Sequence, residues 1–247
     1  VLAVVPAILQ RLLASPNFDD TDLSGLRIVA SSGSALPVPV VTDWLERGGS
    51  NLYNLYGSTE VGQATLASPD DLLADPSTAG RVISGSVVAI LDDDGSEVAS
   101  GDIGRVFVGN ENQFEQYTGG GGKEIVDGLM STGDVGYVRD DGLLFITGRA
   151  DDMIVSGGEN VFPQEVEDLL LGHPDVEDAA VVGVDDESLG QRLVAHLVVR
   201  DGATLSAATV KKYVSKTLAR HKTPRDVHFL DELPRTATGK LRRNQLG

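Results

Sequence analysis

The sequence contains no cysteine, which excludes disulfide bonds, thiolate metal ligands and a cysteine nucleophile. It also lacks any apolar run that approaches a length of about 20 residues, which a membrane helix needs, so we do not expect an integral membrane protein. Basic residues are few, since 20 Lys and Arg stand against 37 Asp and Glu and the formal net charge is −17. Because Lys and Arg supply most of the affinity for phosphate backbones, this balance argues against a nucleic-acid-binding protein.

The chain does have enough length and apolar content for a folded core. It has 247 residues, of which 41% are hydrophobic and 23% charged. This length predicts one large domain or two modest ones. The 29 glycines predict many tight turns or places where the backbone approaches a ligand.

The charge is distributed unevenly along the chain. Residues 1–150 carry 8 Lys and Arg against 21 Asp and Glu, whereas residues 211–247 carry 10 against 3. The basic C-terminal segment fits either an anionic ligand or a solvated basic face.

The chain begins with Val1 and runs directly into the apolar stretch VLAVVPAILQRLL. Pro6, Gln10 and Arg11 interrupt this stretch, which is therefore unlike a signal peptide. We expect the chain to be a segment of a larger protein.

Residues 1–79 show the pattern of an α/β sheet. Apolar spacing predicts a helix over 6–14, and short apolar runs predict strands over 26–31 and 51–57. The helix between those two strands ends at Gly48. This alternation predicts a parallel sheet that binds ligands at the carboxyl ends of its strands.

From about Gly80 the pattern changes to short strands separated by Asp-Gly and glycine turns, which predicts a small antiparallel β-barrel or sheet over 80–148. The charged stretch GRADD (148–152) predicts a linker. The remaining helix and strand patterns predict a compact α+β domain over 153–247.

Two polar segments in the first part have residue types suited to nucleotide binding. YGSTEVG (56–62) offers an aromatic ring, hydroxyls and the carboxylate of Glu60, a hard oxygen ligand. The alternative is a polar loop in which Ser58 or Thr59 caps a helix. STGDVG (131–136) places Asp134 in a glycine loop before a hairpin, where its carboxylate can accept both ribose hydroxyls or can form an Asx-turn.

The segment GRADDMIVSGGENVFPQEVE (148–167) combines a planar cation, Arg149, with the glycine pair Gly157 and Gly158. Glu159 and Asn160 follow the glycines. A hairpin followed by a helix N-terminus also explains the glycines, although it leaves the length of the polar block unexplained.

PRTATGKLRR (234–243) places Lys240 in a glycine-containing loop. Its spacing differs from that of a P-loop, but a lysine on a flexible loop can reach an anion as a point charge. The alternative is that Lys240 is one of several basic surface residues, together with Arg242 and Arg243.

Together and in this order, SSGSALP (31–37), YGSTE (56–60), STGDVG, GRADDMIVSGGENVFPQEVE and PRTATGK resemble the adenylate-forming enzyme superfamily. This superfamily includes acyl- and aryl-CoA synthetases, adenylation domains of peptide synthetases and firefly-type luciferases. The resemblance covers essentially the whole chain.

The resemblance implies the C-terminal part of a large AMP-binding domain over 1–149, a hinge over 150–152 and a small mobile α+β domain over 153–247. It implies an AMP-forming acid–thiol ligase that activates a small-molecule carboxylate with ATP and Mg²⁺, and then transfers the acyl group to CoA. The DDMIVSGGENVFPQEVE and NQFEQYTGG (112–120) stretches look most like bacterial fatty acyl-CoA synthetases, which implies a fatty acid substrate and a cytoplasmic enzyme.

The resemblance also implies roles for individual residues. Lys240 would bridge the substrate carboxylate and the α-phosphate, Glu60 would hold Mg²⁺, and Asp151 would be the hinge residue. The residues implied to contact the nucleotide, the acyl group or CoA are Ser32, Gly33, Ser34, Tyr56, Gly57, Thr59, Asp134, Arg149, Ser156, Gly157, Gly158 and Glu159.

One part of the family's pattern is absent: the Ser/Thr/Gly-rich phosphate-binding loop, which precedes this region in the family. We therefore expect the chain alone to be inactive. The alternatives are an adenylation domain that loads a carrier protein's pantetheine and a non-catalytic fragment. Neither the acyl chain length nor the oligomeric state follows from the sequence.

Overall fold

The computed structural model describes residues 1–114, 122–236 and 239–247. The motif at 112–120 therefore lies mostly outside the described residues, and the lysine motif at 234–243 lacks two of its positions. The chain divides into two compact units, Val1–Thr147 and Gly148–Gly247. Within the described ranges, no helix has the length and apolar character required to cross a membrane.

The first unit begins with a five-stranded sheet. Its strands, in spatial as well as chain order, are β1 (Leu2–Val4), β2 (Val29–Ser31), β3 (Leu52–Ser58), β4 (Gly62–Ala67) and β5 (Arg81–Val82). Strands β2 and β3 are parallel, as predicted, and β1, which was not predicted, is parallel to β2, whereas β4 and β5 run antiparallel to their neighbours. The change of direction follows from the short connection between β3 and β4, because a parallel crossover needs a dozen or more residues.

Three helices accompany this sheet: α1 (Pro6–Leu13), α2 (Val38–Arg47) and α3 (Pro69–Ala74). Each has a proline at one of its first two positions, where the missing N–H removes no helical hydrogen bond. The buried Trp44 of α2 belongs to the core between helices and sheet. Helices α1 and α2 match the sequence prediction, and α3 was not predicted.

The second sheet of this unit is antiparallel, as predicted. Its strands are β6 (Ser86–Leu91), β7 (Gly104–Asn110), β8 (Ile125–Val126), β9 (Leu129–Val138) and β10 (Leu144–Arg149). The spatial order is β10-β9-β7-β6, with β8 paired to β9. Val106 and Val108 pack on one face of β7 and Phe107 on the other, so both faces of the central strand are buried.

The second unit is an α+β fold. Its strands are β11 (Ile154–Ser156), β12 (Glu159–Val161), β13 (Val176–Asp186), β14 (Gly190–Val199) and β15 (Asp226–Phe229), and its helices are α4 (Pro163–Leu171) and α5 (Ala207–Thr217). Both helices pack on one face of the sheet, around Val181 and Ala195. Leucines of the C-terminal segment, including Leu233 and Leu246, cover the opposite face around Ala180 and Val198.

The predicted linker over 148–152 is shorter in the structure. Strand β10 continues through Arg149, and β11 begins at Ile154. Because charged residues dominate this stretch, the apolar pattern does not show that the strand continues into it. Only the turn over 150–153 separates the two strands.

Helix α4 gives the second unit a pH-dependent stability. Burial and the neighbouring Glu167 carboxylate raise the pKa of Asp168 to about 7, from an ordinary value of 3.8. A carboxyl group with a raised folded-state pKa favours folding while it is protonated. Its contribution is therefore complete below about pH 4 and is lost as the pH rises through about 7.

We expect Asp168→Asn to lose less stability than the parent protein between about pH 4 and 8, because an amide stays neutral over this range. Urea midpoints measured at several pH values give the comparison. Asp201→Asn, at an exposed turn, is the control. Parallel pH profiles for the parent and Asp168→Asn would contradict the expectation.

Candidate functional site

The first unit brings two of the predicted site residues, Tyr56 and Asp134, into direct contact. The Tyr56 hydroxyl donates a hydrogen bond of 2.7 Å to Oδ2 of Asp134. Tyr56 lies in β3 of the first sheet and Asp134 in β9 of the second. Both side chains are half-buried, so the pair places an aromatic ring beside a carboxylate at the junction of the two sheets.

Asp134 lies inside a strand, so the predicted loop position and its Asx-turn alternative are both wrong. Instead, the pairing of β9 with β7 is interrupted by a bulge around Gly133, the residue before Asp134. Arg105 opposes Val135, but Phe107 opposes Ser131. Gly133 has φ of +82°, a left-handed value that suits glycine at a bulge.

A buried hydroxyl supports the backbone of this bulge. Thr132 is 4% exposed, and its Oγ1 accepts the Asp134 N–H at 3.0 Å. The same hydroxyl donates to the Val106 carbonyl at 3.0 Å. These contacts fix the backbone from which the Asp134 side chain leaves the strand.

A second bulge lies beside Tyr56. Tyr56 opposes Thr65 in β4, whereas Gly57 opposes Gln63. A Cβ atom at Gly57 would overlap the carbonyl oxygen of Gly62, so the two strands approach too closely here for any side chain. This close approach turns the chain sharply after Ser58.

The turn that follows carries Thr59 and Glu60 and leads into β4. The proposed helix cap at Ser58 or Thr59 is therefore wrong, because a strand follows instead of a helix. Ser58 Oγ accepts the Glu60 N–H at 3.2 Å, and Thr59 Oγ1 lies 3.2 Å from Glu60 Oε2. The turn presents a hydroxyl and a carboxylate side by side.

The last residue of β7 and the residues that follow it hold this turn, and the sequence analysis missed them. Asn110 Nδ2 donates to the Val61 carbonyl, and Asn110 Oδ1 accepts the Asn112 N–H at 2.9 Å. The Phe114 N–H donates to the Glu60 carbonyl at 2.8 Å. No local pattern could reveal this support, because Asn110 is 49 positions from Val61.

The predicted segment Ser32, Gly33 and Ser34 follows the carboxyl end of β2 and is exposed. Gly33 has φ of +91°, which few other residues adopt. Ser31, the last residue of β2, is fully buried, and its hydroxyl has no hydrogen-bond partner in the part of the chain that the structure describes. Sequence analysis missed this buried hydroxyl, which lies at the carboxyl end of a parallel strand, where ligands of such folds bind.

The glycine pair of the second unit forms the turn of a hairpin, as the alternative interpretation predicted. Gly157 and Gly158 have φ of +63° and +86° and join β11 to β12. Glu159 is exposed beside them, whereas the Ser156 side chain is buried in β11. Ser156 opposes Glu159 across the hairpin and differs from the rest of this predicted group in being buried.

Arg149 and Asp151 form an exposed ion pair with Nη2 2.9 Å from Oδ2. The pair lies between the end of β10 and the turn that follows. The pair lies in the segment to which the resemblance assigns the hinge, and both of its side chains are exposed.

Lys240 is exposed, and its backbone is hydrogen-bonded to Thr236. The Thr236 N–H donates to the Lys240 carbonyl at 2.8 Å, and Thr236 Oγ1 accepts the Lys240 N–H at 3.1 Å. Arg235 donates to the Gly239 carbonyl at 2.9 Å and forms a two-bond ion pair with Asp178.

Glu60 is the carboxylate to which the resemblance assigns Mg²⁺. Across the described residues, no group of three or more His, Asp and Glu side chains could hold a metal ion. Mg²⁺ with nucleotides is usually bound by one or two carboxylates together with substrate phosphates and water. A single carboxylate beside a hydroxyl fits that mode of binding.

The described chain therefore combines an α/β unit, which carries an aromatic–carboxylate pair, with an α+β unit, which carries an exposed lysine. Two family profiles match this chain: "AMP-binding enzyme" over residues 1–118 and "AMP-binding enzyme C-terminal domain" over residues 165–240. The chain belongs to this family, the adenylate-forming enzymes.

Individual relatives agree with this assignment. The chain is similar to indoleacetate–CoA ligase of Aromatoleum aromaticum, with 37% identity over 98% of this chain and 48% of the relative. It is also similar to 2-succinylbenzoate–CoA ligase of Geobacillus kaustophilus, with 37% identity over 100% of this chain and 50% of the relative. The chain therefore spans about half the length of the curated relatives it matches.

A solved structure confirms the fold class. ATP-bound MatB from Rhodopseudomonas palustris superposes with a TM-score of 0.91 at 31% identity, covering 99% of this chain and 50% of MatB. The predicted arrangement of an α/β portion, an antiparallel subdomain and an α+β domain is correct.

The close approach at Gly57 gives a test of the site's geometry. We expect Gly57→Ala to lower the stability of the first unit by about 1–3 kcal/mol, because the methyl group forces two backbones apart. Gly25→Ala is the control, since its methyl would enter open space. Equal urea midpoints for the two variants would contradict the role of Gly57.

Proposed function

We propose that this chain is the nucleotide-binding and lysine-bearing part of an AMP-forming acyl-CoA ligase. The observation that carries the proposal is the Tyr56–Asp134 hydrogen bond, which holds a ring and a carboxylate together at the junction of two sheets. Membership of the AMP-binding family and the CoA ligases among its relatives support it.

In this proposal the nucleotide lies against the first unit. Tyr56 stacks on adenine beside Gly57, and Asp134 accepts the ribose hydroxyls. Thr59 contacts phosphate, and Ser32, Gly33 and Ser34 line the adenine or acyl site. Glu60 holds Mg²⁺, which supplies charge neutralisation for the phosphates when it is bound.

The second unit supplies the remaining groups. Arg149 assists in binding ribose, and Gly157, Gly158 and Glu159 line the path of the pantetheine thiol. Ser156 supports this hairpin from its buried side. Asp151 in the hinge over 150–152 allows the domain over 153–247 to present these groups in turn.

The reaction has two steps. The substrate carboxylate attacks the α-phosphorus of ATP and pyrophosphate leaves, with the negative charge of the transition state stabilised by Lys240. The CoA thiol then attacks the acyl carbonyl and AMP leaves. The hydrogen bonds between the Lys240 backbone and Thr236 support the first step, since a positioned charge needs little reorganisation.

The identity of the acid and of the acceptor is a finer part of the proposal. The resemblance favours a fatty acid, whereas the relatives named above take indoleacetate and 2-succinylbenzoate. The complete enzyme, which we propose to be cytoplasmic, is assayed with a panel of fatty and aromatic acids. Each acid is tested with CoA and with a holo carrier protein as the acceptor, and the results decide both points. Turnover of fatty acids with CoA supports the proposal, and transfer only to the carrier protein would favour the alternative.

The role of Asp134 predicts a loss of ribose discrimination. We expect Asp134→Ala to weaken the preference for ATP over 3′-deoxy-ATP, because the variant has no side-chain oxygen to accept the ribose hydroxyl. A hydrogen bond to a charged group contributes about 1.5–3 kcal/mol, so the preference should fall roughly tenfold or more. An unchanged ratio of kcat/KM values for the two nucleotides would refute the role of Asp134.

The role of Lys240 predicts that one half-reaction depends on it more than the other. We expect Lys240→Ala to slow acyl-adenylate formation by about 10²–10³-fold, the usual loss for one positioned charge contact. Transfer from preformed acyl-adenylate to CoA should change little. Single-turnover assays of the two steps make the measurement.

Arg242→Ala is the control for Lys240, because Arg242 is an exposed cation two residues away. It should leave both steps near the parent rate. Equal losses in both half-reactions of Lys240→Ala, or a similar effect of Arg242→Ala, would show that Lys240 is not the adenylation lysine.

A further inference from the structure

Arg243 is not the surface cation that the sequence suggested. Its two terminal nitrogens donate to the two carboxylate oxygens of Glu167 in α4, at 2.6 and 2.9 Å. Nη1 also donates to the Val181 carbonyl in β13 at 2.8 Å. Nε lies 3.1 Å from Oδ2 of Asp152 in the turn before β11. One guanidinium group thus joins three separate segments of the second unit.

The contact with Glu167 forms the structural part of this arrangement. Glu167 is 8% exposed, and its Oε1 also accepts the Val181 N–H at 2.7 Å. The parallel two-bond geometry fixes the guanidinium plane, as arginine forks do with carboxylates. Removing Glu167 would leave a poorly solvated charge and disturb folding.

The contact with Asp152 is separable from that structural part. The Asp152 side chain is 35% exposed, so its loss leaves no buried charge without solvent. Asp152 directly follows Asp151, the proposed hinge residue, while Arg243 follows Lys240 by three residues. The ion pair therefore connects the segment next to the hinge with the segment that carries the lysine.

The backbone of the turn is weakly held without this ion pair. The Asp152 N–H lies 3.3 Å from the Arg149 carbonyl oxygen, and the Met153 N–H lies 3.4 Å from that of Ala150. Both distances exceed the usual range for N–H···O bonds. The side-chain contact with Arg243 is the stronger restraint on Asp152.

We propose that Arg243 is a positioning residue that fixes Asp152 to the second unit, so that this unit rotates only about the chain before Asp152. The rotation then moves Lys240 together with the rest of the second unit. The inference rests on the proposed function for its consequence in catalysis, but its structural part stands on the chain alone. A hinge that extended past Asp152 would let the lysine loop take many orientations. When the hinge ends at a residue held by an ion pair, the second unit rotates as a rigid body and carries Lys240 with it.

The test compares two Arg–Asp pairs of the same unit. Asp152→Asn removes the charge that faces Arg243 and keeps the side chain's shape, and Asp152→Glu restores the charge. Asp226→Asn is the matched control, because Arg192 Nε lies 2.9 Å from Asp226 Oδ2 in a pair that is also partly exposed. Amide hydrogen exchange over residues 150–154 is measured on the chain, together with urea midpoints.

We expect Asp152→Asn to raise exchange over 150–154 by about three- to tenfold, with Asp152→Glu near the parent and Asp226→Asn unchanged there. Urea midpoints should be alike for the two Asn variants. Unchanged exchange over 150–154, or an equal rise in Asp226→Asn, would overturn the proposal.

In the complete enzyme, Asp152→Asn should lower kcat about two- to fivefold while the KM for ATP stays constant, because the restraint affects rotation rather than nucleotide binding. A rise in KM with constant kcat would overturn the coupling to Lys240. An enzyme without any ligase activity would refute the proposed function instead, and the exchange experiment would still decide whether Arg243 pins Asp152.

Discussion

The hydrogen bond between Tyr56 and Asp134 is the contact on which the candidate site depends, because it joins two sheets that differ in topology. The first sheet is parallel around β2, and the second is antiparallel. A tyrosine hydroxyl bound to a carboxylate contributes about 1.5–3 kcal/mol when both groups are shielded from water. It also fixes the ring and the carboxylate relative to each other before any ligand arrives.

Regular pairing is interrupted beside both residues of this contact. Side chains in a regular strand alternate between faces, and an extra residue in a strand changes the direction of the side chains next to it. The extra residues lie in β9 itself around Gly133, next to Asp134, whereas beside Tyr56 the extra residue is Ala64 in the partner strand β4, opposite the close approach at Gly57. The glycine content that the sequence shows is thus used for geometry in the site as well as for turns.

Much of the fold could be predicted from local pattern. The helix over 38–47 and the strand over 52–58 follow from apolar spacing and from glycine and proline at their ends. The order of α/β, antiparallel and α+β parts also follows, because each has its own periodicity.

The details of the site could not be predicted this way. Asp134 was assigned to a loop because a bulge depends on the register of the partner strand, which one segment does not contain. Arg243 was grouped with surface cations because its partner Glu167 lies 76 positions away. The Asn110 contact with Val61 spans 49 positions and escaped prediction for the same reason.

The lysine loop shows how such distant contacts prepare a charge for function. Arg235 is held by Asp178 in β13 on one side of Lys240, and Arg243 is held by Glu167 in α4 on the other. Arg243 places both terminal nitrogens on the two oxygens of Glu167, whereas Arg235 donates from Nη2 alone to both oxygens of Asp178. These two ion pairs hold Arg235 and Arg243 on either side of Lys240, whose side chain is exposed. Because both backbone groups of Lys240 are also hydrogen-bonded to Thr236, less backbone entropy at Lys240 remains to be lost when it meets an anion.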